Sequence, residues 1–137
     1  MKYMMFDIMN IHNENFSEQR NLKYFEEMYN DDSYLFYTIH SDQNEKILGY
    51  IIYYDTIDSY DLFEIAVSKS HQKLGIGTKL LKINGEILRY KNIFLEVNEG
   101  NVRALNMYLK HGFIEISKRK NYYGKNKNAI IMMRGKY

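Results

Sequence analysis

The sequence predicts an α+β fold, a mixed α/β three-layer domain, on three observations. Helix-period and strand-period runs succeed one another as helix, antiparallel strands, strand, helix, strand, helix and strands. Two glycines, Gly75 and Gly77, stand between an apolar strand-like run and an amphipathic helix-like run. No low-complexity linker or internal repeat interrupts the 137 residues, so a single domain over 1–137 is expected.

Residues 17–29 place Leu22, Phe25, Met28 and Tyr29 at helical spacing after a polar start at Asn15 and Ser17, which predicts the first helix. Residues 34–39 and 47–54 read as strands joined by a polar turn at 41–45. Residues 62–67 form another strand-like run. A helix is expected over 78–90, with Leu80, Ile83 and Ile87 on one face and Gly85 weakening it. Residues 93–97 suit a short buried strand and 102–110 a short helix ended by Gly112. Residues 113–117 and 130–134 then read as a closing strand pair.

Composition narrows the function classes. A hydrophobic content of 45% is enough for a packed core at this length. With no cysteine, a disulfide framework, a cysteine nucleophile and a thiolate metal site are all excluded. Asp7 interrupts the apolar start too soon for a signal peptide and no run approaches a membrane span, so a cytoplasmic protein with no membrane partner is expected. A formal net charge of +2 is too small to argue for nucleic acid by itself. The cations Lys118, Arg119, Lys120, Lys125 and Lys127, interleaved with Tyr122 and Tyr123, could grip RNA, steer a ribosome-associated substrate, or simply form a solvated hairpin. The hairpin is the reading adopted, and direct nucleic-acid binding is not expected. His12, His40, His71 and His111 are scattered without ligand spacing, so no metal is implied.

The most informative stretch is Gln72-Lys73-Leu74-Gly75-Ile76-Gly77-Thr78. Glycines at a strand-to-helix turn allow backbone angles that gather N–H groups on one point, and the following helix adds its own unpaired N–H groups and positive dipole end. A pyrophosphate suits such a cradle. It is not a P-loop, because Thr78 precedes Lys79, and not a dinucleotide fingerprint, because Leu80 stands where a third glycine is needed. An ordinary tight turn is the rival reading. Downstream, Asn101, Ala104, Tyr108, Gly112 and Phe113 form a second block, about twenty residues on, that makes the pair far more specific than either alone.

Together the two blocks resemble the GNAT superfamily of N-acetyltransferases, most closely its ribosomal-protein-alanine, RimI-like branch. Residues 62–67, Leu95-Glu96-Val97, the Asn-Tyr-Tyr segment at 121–123 and Ala129-Ile130-Ile131-Met132 extend the resemblance over nearly the whole chain. It implies a mostly antiparallel mixed sheet flanked by helices, with acetyl-CoA as co-substrate. The implied acceptor is the N-terminal α-amine of a protein, with ribosomal protein S18 as the expected target. A small-molecule amine acetyltransferase and a non-catalytic acyl-CoA-binding or RNA-associated module remain the alternatives. Two departures touch the acceptor side: Asn15-Phe16 where the branch carries Pro-Trp, and Asn98 where it usually carries Arg.

By the resemblance, backbone groups of Ile65, Ala66 and Val67 pair with the pantetheine arm, the loop at 72–78 holds the pyrophosphate, and Asn101 bonds the pantetheine. Glu96 lies between apolar neighbours, which should desolvate its carboxylate and strengthen it as a base. The matching Glu in RimI-like enzymes is the proposed general base. Tyr108 stands at i+7 from Asn101, on one helical face with Ala104, and is the candidate acid for the departing thiolate. Asn101 could equally be a helix N-cap, and Tyr108 a packed aromatic. Tyr122 and Tyr123 match a segment that borders the peptide groove. Glu64 either faces the acceptor amine or is an edge-of-strand carboxylate.

Overall fold

The computed structural model describes residues 2–43, 45–86 and 88–136. The elements run α1 (Lys2–Asn15), α2 (Leu22–Tyr29), β1 (Tyr34–His40), β2 (Ile47–Asp55), β3 (Tyr60–Val67), α3 (Ile76–Glu86), β4 (Ile93–Asn98), α4 (Val102–Lys110), β5 (Ile114–Gly124) and β6 (Lys127–Arg134). The strands form one sheet in the order β1-β2-β3-β4-β6-β5, antiparallel except for the β3–β4 pair.

Each face of the sheet carries its own core. On one face, Ile76, Leu80 and Leu81 of α3 and Tyr108 of α4 pack with Ile51, Tyr53, Leu62, Leu95, Val97 and Ile130. On the other, Met5, Ile8 and Ile11 of α1 and Phe25 and Met28 of α2 cover Tyr50, Ile52 and Ala66. The hydrophobic stripe of α1 recurs at three- and four-residue steps, which identifies the buried side of the helix.

The sequence expectation misplaced the first helix. The segment at 17–29 is a loop followed by α2, and α1 precedes it. Residues 16–21 stay out of helix because Asn13 exchanges hydrogen bonds with Arg20: its Nδ2 donates to Arg20 O at 3.0 Å and its Oδ1 accepts from Arg20 N at 2.9 Å. Asn21 then caps α2, its Oδ1 accepting from Tyr24 N at 2.9 Å. The α1 segment carries apolar residues on several faces, Phe6 among the exposed ones, so its amphipathic signal is faint. α3 begins two residues earlier than expected and ends at Glu86; Ile87 and Asn44, assigned to its apolar face and to the first turn, lie outside the described residues. β5 and β6 are longer than expected because β5 is an edge strand exposed along its whole length, so it lacks the alternation that marks a half-buried strand.

Two local features place α3 and the loop before it. β2 carries Gly49, where a Cβ would lie 2.9 Å from Ile76 Cγ2, 3.2 Å from Ala66 O and 3.3 Å from Leu80 Cδ1. The missing side chain lets the first turn of α3 rest directly on the strand. A bulge between Ile52 and Tyr53, opposite Phe63, then turns β3 so that Leu62 faces the α3 core while Glu64 registers with Ile52 on the α1 face.

Gly49→Ala should therefore lower stability by ~1–3 kcal/mol through overpacking, and should weaken cofactor binding by displacing Ile76. Urea denaturation and ligand titration of the same variant check both effects.

Candidate active site

β3 and β4 are parallel neighbours at Tyr60↔Ile93 and Asp61↔Phe94, and no further pair is formed between them among the described residues. Beyond these pairs the strands part. Ser68 N donates to Leu48 O at 2.8 Å, which fixes the phase of the β2–β3 ladder. Antiparallel ladders alternate, so Ala66 and Glu64 bond to β2 while the backbone groups of Ile65 and Val67 turn toward the parting. The carbonyl of Val67 is already occupied: Asn15 Nδ2 donates to it at 3.0 Å and Gln72 Nε2 at 3.1 Å. The N–H and C=O of Ile65 and the N–H of Val67 remain directed into the gap.

The cleft that opens there has a volume of about 550 Å³. Ile65, Ala66 and Val67 form one wall, with Gly75 to Thr78 at its end; α4 faces them with Asn101, Arg103, Ala104, Met107, Lys110 and His111. Gln72 acts by its side chain, since Nε2 also donates to Asn15 Oδ1 at 2.9 Å, tying the loop to the end of α1. Lys73 at φ 66° and Gly75 at φ 83° take left-handed angles that swing the chain into α3. Gly75 O accepts from Lys79 N at 3.0 Å as the helix begins. The amides of Ile76, Gly77 and Thr78, in the first turn, have no carbonyl four residues back within the helix to bond. They and the dipole present a positive end to the cleft, with Lys73, Arg103 and Lys110 adding charge around it.

Gly77 departs from the expectation that both glycines are needed for unusual angles. It lies inside α3 without a positive φ, and a Cβ there would meet Met107 Sδ at 3.5 Å and Val67 Cγ2 at 4.0 Å, ordinary contacts. Its hydrogen keeps the floor of the cradle low enough for a ligand to reach the amides. Leu74, 66% exposed, is outside the cleft lining.

Asn101 is the helix N-cap that one of its sequence readings gave. Its Oδ1 accepts from Ala104 N at 3.2 Å as the cap of α4, and the residue also lines the cleft. Tyr108 lies behind the lining: it is 7% exposed, with its ring edge-on to Phe113 at 5.8 Å. Desolvation pushes its hydroxyl up to about 12, so it keeps its proton throughout the neutral range.

Glu96 does not have the desolvated setting that its sequence neighbours suggest. Leu95 and Val97 point into the α3 core, and alternation turns Glu96 to the opposite face. Its side chain is 35% exposed and Arg119 Nη1 donates to its Oε1 at 3.2 Å. Arg119 in turn lies over the Tyr122 ring at 5.0 Å. Tyr123 is held above the usual phenol range by partial burial first and then by the nearby charge of Glu96. Glu96, Arg119, Tyr122 and Tyr123 thus gather on the α1 face of the parting, apart from the cradle.

Sequence reading passed over Asn15 as a site residue, and also Arg103, Met107, Lys110 and His111. The four on α4 were legible as one helical face at i, i+4, i+7 and i+8, with Ala104 beside them. Asn15 carried no local signal, because its partners Val67 and Gln72 are 52 and 57 residues away. Each histidine has its own separate partners: His12 has Glu64 and Glu18 O, His40 has Thr38 and Glu45 O, His71 has Ser70 and Ser68, and His111 has Met107 O. Among the described residues no group of three or more metal-binding side chains occurs, and no helix is long and apolar enough to cross a membrane.

A parted sheet whose inward-turned amides lead to the open end of a helix suits an extended, phosphate-bearing ligand. The chain belongs to the acetyltransferase (GNAT) family, whose model matches residues 5–113. It is 37% identical over 97 residues to a [ribosomal protein bS18]-alanine N-acetyltransferase of Haemophilus influenzae; the match spans 66% of this chain and 66% of that relative's length. An N-alpha-acetyltransferase of Sulfurisphaera tokodaii is 38% identical over 72 residues, covering 50% of this chain and 43% of that one. Among solved structures, the ribosomal-protein-S18-alanine N-acetyltransferase of Escherichia coli superposes with a TM-score of 0.81 at 28% identity, over 96% of this chain and 86% of that chain. The expected mostly antiparallel sheet flanked by helices is the one observed.

Gly77→Val should fold like the parent, because its Cβ meets no close neighbour, yet the added methyls would fill the cradle. Calorimetric titration with acetyl-CoA should show binding lost while the melting temperature stays near that of the parent. Gly75→Ala has open space but must hold φ 83°, so it should cost ~1–2 kcal/mol of stability.

Proposed function

We propose that this chain transfers the acetyl group of acetyl-CoA to a primary amine, the N-terminal α-amine of a protein, with ribosomal protein S18 as the specific acceptor and the cytoplasm as the compartment. The observation that carries the reading is the parting of β3 and β4, with the cradle on one face of the sheet and Glu96, Arg119 and the two tyrosines on the other. The family match and the names of the relatives support acetyl transfer and an alanine amine as acceptor.

The residues present suit acetyl-CoA. Ile65 and Val67 offer backbone groups to an extended amide-bearing arm, and the first turn of α3 with Lys73 offers amides and charge to a pyrophosphate. When bound, acetyl-CoA supplies an activated thioester carbonyl. Holding that carbonyl against the amine contributes ~7–11 kcal/mol of the barrier when the fit is good. An α-amine with pKa near ~8 is mostly protonated at neutral pH and must lose its proton to attack. Glu96 Oε2, the oxygen not bonded to Arg119, takes that proton directly or through a water. The C–N bond forms and the C–S bond breaks; the thiolate takes a proton from the Tyr108 hydroxyl through a water, since that phenol stays protonated at neutral pH, and the second N–H proton, shed as the amide forms, restores the phenol by the same route.

A peptide array supplied with acetyl-CoA, comparing N-terminal sequences with free small amines, tests the acceptor. N-terminal alanine peptides of the S18 type should be modified in preference; acetylation of polyamines or amino acids alone would overturn the reading. Glu96→Gln should lower turnover far more than acetyl-CoA affinity, and its rate should recover as pH rises and neutral amine becomes abundant. Tyr108→Phe should lose ~100-fold or more in turnover with acetyl-CoA still bound. Turnover within about threefold of the parent would return Tyr108 to a packing role, since a lost hydrogen bond alone costs only ~0.5–1.5 kcal/mol of stability.

A further inference from the structure

Glu64 borders the parting and has no part in the steps above. Its Oε2 accepts from the Tyr50 hydroxyl at 2.5 Å and lies 3.0 Å from His12 Nδ1. The other ring nitrogen, Nε2, is 2.9 Å from the backbone oxygen of Glu18, which can only accept, so Nε2 carries a proton. A further proton must then lie between Nδ1 and Oε2, since neither atom could otherwise bond the other. Phe16 and Phe25 hold the imidazole at ring distances of 4.8 and 5.3 Å. Burial and the Glu64 charge both push the Tyr50 phenol upward, so it stays a donor.

One oxygen of Glu64 is thus fixed from two sides. The other, Oε1, accepts no hydrogen bond among the described residues and is not sealed from solvent, with the side chain 13% exposed. The path of the acceptor gives this oxygen a use. α3 and α4 occupy the sheet face that holds the cradle, so an amine reaches the parting along the α1 face. On that face the parting is flanked by Glu64 on β3 and Glu96 on β4.

We infer that Glu64 receives the acceptor as its ammonium ion, Oε1 accepting one N–H, and so selects charged primary amines, while His12 and Tyr50 are positioning residues that hold the carboxylate. A rigid carboxylate with one open oxygen suits a group that carries three donors and no acceptor. The inference rests on the amine-acetylating reading above and adds a binding contact to it, with no change in the proton or acyl steps.

Glu64→Gln separates charge from architecture, because the amide oxygen can still accept from Tyr50 and His12. The acceptor KM should rise about tenfold or more, the worth of a charged hydrogen bond, with the acetyl-CoA KM and melting temperature near those of the parent. As a readout that a structural role would not move, an isosteric peptide with a hydroxyl in place of its α-amine is used as a competitive inhibitor. It should bind parent and variant alike. Equal losses for amine and hydroxyl peptides, or no loss for either, would overturn the assignment. If Glu64→Gln does not fold, Tyr50→Phe, which removes one support and keeps the ring, should raise the acceptor KM selectively, and an unchanged KM would overturn the inference. A parent that acetylates small amines and no peptide would overturn the protein-terminus reading, and the Glu64 contact would then stand or fall by the same comparison on that amine. A parent that acetylates no amine would overturn both.

Discussion

Everything in this domain depends on two neighbouring parallel strands that refuse to stay together. In the middle of a sheet, unpaired backbone groups are costly unless something else bonds them. Past Asp61 and Phe94 the protein meets that cost in two ways. Side-chain amides of Asn15 and Gln72 take the carbonyl of Val67, and the remaining groups of Ile65 and Val67 are left turned toward a cleft large enough for a ligand arm. The left-handed angles at Lys73 and Gly75 then aim the open end of α3 at that cleft.

The sheet also divides the chemistry. Anion-holding amides and cations collect on the α3 and α4 side, where Gly49 allows α3 to sit low on β2. Carboxylates and tyrosines collect on the α1 side, where the polar groups are bonded to one another: Glu96 to Arg119, and Glu64 to Tyr50 and His12. The parting lies between the two, so in the proposed reaction phosphate charge and amine charge would approach it from opposite faces of the sheet.

The parts of this arrangement that are local in sequence were legible there. The strand-glycine-helix turn, the capped helix at Asn101 and the apolar strand runs β1 to β4 follow from spacing of three to eight residues. What was lost depends on distance or on weak contrast. α1 is apolar on more than its buried side, and β5 is polar because both its faces meet solvent, so neither shows the period of its type. The expected burial of Glu96 failed for a simpler reason: apolar neighbours in a strand lie on the opposite face from the residue between them, and their hydrophobicity says nothing about its own surroundings. The His12–Glu64 pair joins positions 52 residues apart and had no signature in either segment.

The separation of the two cores has a consequence for how such a chain can diversify. Buried residues of the α1 and α2 cluster touch β2 and β3 from one side only, while the α3 and α4 cluster fills the other. Substitutions that repack Phe25 and Met28 of α2 therefore perturb the first cluster and leave the seat of α3 on the sheet alone, because distant, unshared contacts contribute nearly additively. With the amine arriving on the α1 face as proposed, a lineage could drift in the amine it accepts by neutral steps on that face, while selection holds the opposite one fixed.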